Sequence, residues 1–151
     1  MSEHTFAIRK MEEKDISSVE SIEKRVFSIP WSEKSFLDAC MTPENIYLVA
    51  ETEDGSIAGY CGLWTVLGEG NITNMAVAET YRKCGVGRKL MEAMEQEGRR
   101  MDVSIFFLEV RESNEAARHL YDSMGYTNIG TRKRFYERPV EDAIVMSKIY
   151  Q

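Results

Sequence analysis

The run Asn74-Met-Ala-Val-Ala-Glu-Thr-Tyr-Arg-Lys-Cys-Gly-Val-Gly-Arg-Lys-Leu90 constrains the fold more than any other stretch of the chain. It reads as a strand ending near Val77, a turn, a short glycine loop and then a helix. Glycines at 85 and 87 let backbone N–H groups approach a ligand closely, and a helix start adds unpaired donors and the positive end of the dipole. Arg82, Lys83, Arg88 and Lys89 set four cations within eight residues of a chain whose formal net charge is −6. A ligand carrying several phosphates suits such a local cluster. GxxxxGK[ST] is absent, which excludes a Walker A loop. A dinucleotide loop needs GxGxxG directly after the strand, but here the first glycine comes eight residues after Val77 and Leu90 stands where the third belongs. R-x-x-G-x-G between a strand and an amphipathic helix fits an acyl-CoA pyrophosphate loop. A glycine-containing helix start with no ligand fits it as well.

The rest of the chain supplies elements of both kinds. Thr5–Arg9 reads as a short strand. Asp15–Phe27 has helical periodicity through Ile16, Val19, Ile22, Val26 and Phe27, with Pro30 ending it. A second helix opens at Ser32, a good N-cap, and carries Phe36 and Leu37. Asn45–Glu51, Ile57–Leu67 and Asn71–Ala78 read as strands, with turns at Asp54–Gly55 and Leu67–Gly70. Gly85–Met101 is a helix whose apolar face is Val86, Leu90, Ala93, Met94 and Met101. Ser104–Val110 is nearly all apolar, as in a strand covered on both faces. Asn114–Met124 is a helix ended by Gly125, and Tyr126–Arg132 and Ala143–Tyr150 close the chain as strands. The order predicts a single α+β domain spanning residues 1–151 around one mixed sheet. At 151 residues such a domain buries enough surface to need no disulfide or metal.

Glu109 is a carboxylate in an apolar strand. Desolvating it is costly, so it sits at an open strand end, paired with Arg111, or serves as a general base. Tyr121 shares the apolar face of its helix with Ala117, Leu120 and Met124, where packing is the ordinary role. Asn114 reads as an N-cap. His4 and His119 are isolated, and Cys40, Cys61 and Cys84 lack paired spacing, so no metal site is expected. The cysteine usage and the polar N-terminus predict a cytoplasmic protein without a membrane segment. The overall acidity argues against direct nucleic-acid binding.

Together these runs resemble the GCN5-related N-acetyltransferase (GNAT) superfamily over nearly the whole chain. Arg82-Lys-Cys-Gly-Val-Gly87 resembles its acetyl-CoA loop, and Asn114-Glu-Ala-Ala-Arg-His-Leu-Tyr-Asp-Ser-Met-Gly-Tyr126 its N-x-x-A-x-x-L-Y-x-x-x-G-[FY] segment. Three further runs are similar to the bacterial ribosomal-protein-alanine N-acetyltransferases: Phe27-Ser-Ile-Pro-Trp-Ser-Glu-Lys-Ser-Phe36, Leu108-Glu-Val-Arg-Glu-Ser-Asn114, and Arg134-Phe-Tyr136 with Glu141-Asp-Ala-Ile-Val-Met146. Cys84 departs from the arginine or glutamine common at its place, and the segment between Arg138 and Glu141 is short.

The resemblance implies a mostly antiparallel mixed sheet of about seven strands, splayed between the fourth and fifth and flanked by about four helices. It implies acetyl transfer from acetyl-CoA, without a metal, to the N-terminal α-amine of a small-subunit ribosomal protein. Glu109 falls at the family's general base and Tyr121 at its general acid. The cofactor contacts fall on Met75, Ala76, Val77, Arg82, Lys83, Cys84, Gly85, Val86, Gly87, Arg88 and Asn114. Trp31, Arg134 and Tyr136 are candidates to flank the acceptor. Against that, Trp31 reads as a hydrophobic staple and Arg132-Lys-Arg134 as a solvated basic turn. A small amine, a protein lysine or a non-catalytic acyl-CoA-binding role are the alternatives.

Overall fold

A computed structural model describes residues 5–151; His4 lies outside them. The strands are β1 Phe6–Lys10, β2 Asn45–Thr52, β3 Ile57–Val66, β4 Glu69–Val77, β5 Ile105–Arg111, β6 Thr127–Tyr136 and β7 Glu141–Ile149. The helices are α1 Ile16–Val26, α2 Glu33–Met41, α3 Val86–Arg100 and α4 Glu115–Ser123, with single 3-10 turns at Glu13–Asp15 and Glu79–Tyr81. One seven-stranded sheet runs β1-β2-β3-β4-β5-β7-β6. Every pairing is antiparallel except β4 with β5.

Alternation along β2 shows how the sheet is covered. Ile46, Leu48 and Ala50 join the core under α3 and α4, with Val86, Leu90, Met91, Met94 and Tyr121. Tyr47 and Val49 join the core under α1 and α2, with Ile16, Val19, Ile22, Phe36 and Ala39. The two helix pairs therefore lie on opposite faces of a sheet whose side chains alternate with period two.

Several sequence expectations shift. Helix α1 ends at Val26, before Pro30, because Phe27 turns extended, and Val26 and Phe27 are exposed rather than buried. Met101 caps α3 and is also exposed. Ser32 does cap α2, accepting from the Ser35 N–H at 3.2 Å. Strand β6 begins at Thr127 and continues to Tyr136, so Arg132-Lys-Arg134 is strand and not a turn. Strand β5 is not covered on both faces. Phe106, Leu108 and Val110 are buried under α3 and α4, while Ile105, Phe107, Glu109 and Arg111 are half-exposed. The reason is that α1 packs on β3 and β4 and α2 on β2, leaving that half-face of β5 without a helix.

The parallel pairing of β4 with β5 is short. Glu69–Asn71 lie opposite Ile105–Phe107, and no pairing continues beyond. From Ile72 and Leu108 onward the two strands diverge, so the sheet opens at one end.

Candidate functional site

The gap between β4 and β5 is a cleft with unpaired backbone along both lips. Strand β4 bonds to β3 through Val77, so its other edge from Ile72 to Val77 carries free N–H and C=O groups. Met75 and Val77 are half-buried against α3 and α4, and Ala76 points to the opposite core.

At the mouth of β4 the chain makes the glycine loop. Lys83 and Gly85 both have positive φ, 62° and 82°, and Gly85 is the N-cap of α3. Its carbonyl accepts the Lys89 N–H at 3.1 Å, so the N–H groups of the first turn have no carbonyl behind them. Nothing lies within 4 Å of where a Gly85 Cβ would stand. Gly87 is the reverse case. A Cβ there would meet Met75 Cε at 2.8 Å and Leu120 Cδ2 at 3.3 Å, so its bareness lets α3 settle on the end of β4 and on α4. Arg82, Lys83 and Arg88 are exposed around the loop, Cys84 is partly buried and Val86 is fully buried. Arg88 donates to Ser123 Oγ at 2.5 Å, tying the loop to the end of α4. Free donors, a helix N-terminus and these cations suit the pyrophosphate of an acyl-CoA, and the open strand edge suits an extended amide chain.

At the start of α4, Asn114 Oδ1 accepts the Ala117 N–H at 3.2 Å, so it is the N-cap. Tyr121 is buried, packs 6.0 Å from the Tyr126 ring, and its hydroxyl donates no hydrogen bond among the described residues. Burial pushes its pKa up, and the neighbouring Tyr136 adds to the rise. The phenol is therefore protonated across the neutral range.

Glu109 sits on the uncovered half-face of β5, opposite Val145 of β7. Its carboxylate faces Arg132 at 3.7 Å, not Arg111. Arg111, two residues on, instead pairs with Glu141 at 3.2 Å. Tyr136 comes to the same place from β6: its phenol is pushed up to about 12 by burial and by Glu109. Arg111 lies 4.5 Å over its ring.

The register explains this convergence. Asn128 pairs with Met146 but Gly130 pairs with Val145, so one extra residue interrupts β6. That bulge turns Arg132 and Tyr136 from the α4 face onto the face of Glu109. A second irregularity between Arg132 and Tyr136 puts Arg134 at φ 53°, with its N–H donated to Asp142 Oδ1 at 2.9 Å.

Among the sequence candidates the structure thus brings together Glu109 and Tyr136, and Tyr121 on α4 is close enough for Tyr136 to act on its pKa. Arg134 is exposed on the edge strand. Trp31 is taken up elsewhere, packed on Phe36, Tyr47 and Trp64 with ring centroids 5.3, 6.4 and 6.1 Å away. Its backbone N–H donates to the buried Glu23 carboxylate at 2.9 Å. Sequence reading gives Glu109 the partner Arg111 and gives Arg132 only a place in a basic stretch, whereas the structure pairs Glu109 with Arg132 and Arg111 with Glu141. Period-two alternation does set Arg111 on the face of Glu109, whereas nothing local marks Arg132. No group of three or more His, Cys, Asp or Glu able to hold a metal occurs among the described residues, and no helix there is long and apolar enough to cross a membrane.

Comparison with known proteins gives a consistent picture. Residues 16–126 match the model of the acetyltransferase (GNAT) family. The chain is 35% identical over 142 residues to the [ribosomal protein bS18]-alanine N-acetyltransferase of Escherichia coli, covering 93% of this chain and 95% of that one. A Bacillus subtilis relative, whose name gives the same activity only provisionally, is 38% identical over 93% of each chain. Among solved structures, the ribosomal-protein-S18-alanine N-acetyltransferase from Escherichia coli superposes with a TM-score of 0.88 at 33% identity, covering 97% of this chain and 96% of that one.

Proposed function

The chain belongs to the GNAT acetyltransferase family, and from that membership we propose that it acetylates the N-terminal α-amine, alanine first, of a small-subunit ribosomal protein. The observation that carries the reading is the opened β4–β5 cleft, with a phosphate-suited loop at one end and Glu109 beside Tyr136 and Arg132 at the other. Bacterial relatives named for this activity over nearly the full chain support the acceptor. A cytoplasmic site of action, where ribosomal proteins are made, belongs to the same reading.

Acetyl-CoA supplies the thioester. Gly85–Arg88, with Arg82 and Lys83, hold its phosphates, and the free edge at Met75–Val77 pairs with its pantetheine arm. A backbone N–H of that edge steadies the charge that develops on the thioester oxygen. Asn114 shapes the loop that receives the cofactor. Glu109 takes a proton from the acceptor ammonium, directly or through a water, and the freed amine attacks the thioester carbon. Tyr121, kept protonated by burial, gives its proton to the departing thiolate as the C–S bond breaks, and the second amine proton, released as the amide forms, restores it.

An α-amine suits a carboxylate base. Its pKa is about 7.7–8.0, so about a tenth is already neutral at pH 7, against far less than a thousandth of a lysine with pKa about 10.4. Holding both reactants in one cleft supplies much of the remaining acceleration.

The test is mass spectrometry after incubation with acetyl-CoA and two peptides. One begins with alanine and has blocked lysines; the other has a blocked N-terminus and one free lysine. Acetylation of the first alone is expected. Acetylation of the lysine peptide alone overturns the acceptor assignment, and acetylation of neither moves it to small amines.

A further inference from the structure

We infer that Arg111 is a positioning residue that ties three separate segments into one acceptor pocket and so sets affinity for the acceptor rather than for the acetyl donor. The inference rests on the reading of Glu109 as the base of an amine acetyltransferase.

The Arg111 side chain reaches three places at once. Its Nη1 donates to the Pro139 carbonyl at 3.0 Å and to Glu141 Oε1 at 3.2 Å. Its Nη2 donates to the Glu137 carbonyl at 3.0 Å and to Ser28 Oγ at 3.5 Å. The guanidinium plane covers the Tyr136 ring. Two of these partners are main-chain carbonyls of the turn Glu137–Val140 that joins β6 to β7, and a third is on the loop between α1 and α2. Ser28 Oγ also donates to the Glu137 carbonyl at 3.2 Å, closing the same junction.

The turn has little else to hold it. Glu137, Arg138, Pro139 and Val140 are all exposed, and so are Phe27 and Ile29 of the facing loop. Few apolar contacts fix either segment, so the guanidinium is their main common tether. Its own root is rigid, because Arg111 is paired with Ala143 in β7 and stands two residues from Glu109 on the same face. Glu141 completes the arrangement: the Ser113 N–H donates to it at 2.6 Å, and that bond together with Arg111 keeps its carboxyl below the usual range.

The position of the base relative to the pocket walls thus passes through one side chain. A planar fork with several fixed donors can serve four acceptors in this way; a lysine ammonium, a point charge on a flexible stem, cannot.

The donor side of the cleft does not depend on this junction. The glycine loop is built by residues 82–88 and α3, with Met75 and Leu120 beneath it. A general loss of folding would lower both substrate affinities and the melting temperature together, whereas loss of the tether separates them.

The experiment is steady-state kinetics of Arg111→Gln and Arg111→Lys with the alanine peptide, paired with hydrogen–deuterium exchange on the free protein. KM for the peptide is expected to rise tenfold or more in Arg111→Gln and less in Arg111→Lys. KM for acetyl-CoA should stay within twofold. Exchange should quicken together in residues 27–31 and 134–141 and stay unchanged in 86–100. An unchanged peptide KM, or an equal rise in both KM values, overturns the inference. So does unchanged exchange in the two segments, whatever the acceptor. Wild-type protein that acetylates no peptide sinks the proposed function instead, and the exchange data still decide whether Arg111 is the tether.

Discussion

Glu23 offers the sharpest test of how helix α1 and the loop after it are held on the sheet. It is a helix α1 side chain with 2% of its surface exposed and no ion-pair partner among the described residues. Three donors satisfy it: the Trp31 N–H at 2.9 Å, the Tyr60 hydroxyl at 2.5 Å and the Asn74 amide at 3.4 Å to both oxygens. Glu23→Ala strands the Tyr60 hydroxyl in the core and the Trp31 N–H in a half-buried place. Each unsatisfied donor costs roughly 1–3 kcal/mol, least for the half-buried one, and the lost methylene adds about 1 kcal/mol. The long Asn74 contacts count for little. The expected loss is therefore about 4 kcal/mol, a large part of the roughly 5–15 kcal/mol of a typical domain.

Glu23→Gln should cost far less. Its amide oxygen keeps one strong donor, and its NH2 can donate to Asn74 Oδ1, a buried acceptor with no partner among the described residues. A loss of about 1–2 kcal/mol follows, one stranded donor set against one new bond. The assay is urea unfolding of both variants and wild type. With a slope of about 2 kcal/mol/M, the Ala midpoint should fall by about 2 M and the Gln midpoint by less than about 1 M. An Ala variant within 1 kcal/mol of wild type would refute the reasoning. So would a Gln variant as unstable as Ala, since the vacant Asn74 acceptor would then have contributed nothing.

Other outcomes follow from the same structure. Tyr121→Phe should lower kcat about 100-fold or more while leaving acetyl-CoA KM within about twofold, because it removes only the hydroxyl; unchanged kcat in steady-state assays removes Tyr121 from the proton path. Glu109→Gln should lower kcat most at pH 6–7 and progressively less above pH 8, where the acceptor amine is already neutral; a defect equal at all pH values argues against a base. Gly85→Ala should lose about 1–2 kcal/mol, the cost of an L-residue at positive φ, because its Cβ meets open space and adds no clash. Its acetyl-CoA KM should rise about tenfold, and a KM equal to wild type would show that the loop shape is not needed for the donor. Asp15 concerns stability in acid. Burial works to raise its pKa, but two hydrogen bonds from Arg9, at 2.7 and 2.8 Å, outweigh it and the pKa is lowered. A depressed carboxylate stabilises the fold above its unfolded pKa near 3.8 and loses that contribution as pH falls through the folded value. Asp15→Asn should therefore show a shallower fall in stability below pH 4 than wild type; an equal slope by acid titration of the melting temperature counts against the pair.

What could be read from the chain and what could not divides along a physical line. Helix faces short of their exposed ends at Val26, Phe27 and Met101, the Ser32 and Asn114 caps, the strand order and the glycine loop are local matters of periodicity, side-chain chemistry and backbone freedom, and they stand in the structure within a few residues. The covering of β5 is not local. The Ser104–Val110 run is apolar enough for a strand buried on both sides, yet which side receives a helix depends on where α1 and α2 dock. They dock on β2, β3 and β4, and the half-face left bare is the one that carries Glu109 and Arg111. The partners of Glu109 are less local still. Counting by twos from Asn128 puts Arg132 and Tyr136 under α4, on the side of Met146. One extra residue in β6 reverses that, and no side chain in Asn128-Ile-Gly130 announces it beyond a glycine. The bulge therefore hides the partners of Glu109 from a period-two count along β6. Deleting Ile129 would restore the ladder with Gly130 still opposite Val145 and Arg132 still opposite Ala143, so both side chains would stay on the face of Glu109, with the glycine loop and α3 untouched. Transfer should therefore survive that deletion along with binding of acetyl-CoA, and its loss would show that the bend the bulge gives β6, and not only the face its side chains take, is needed at the site.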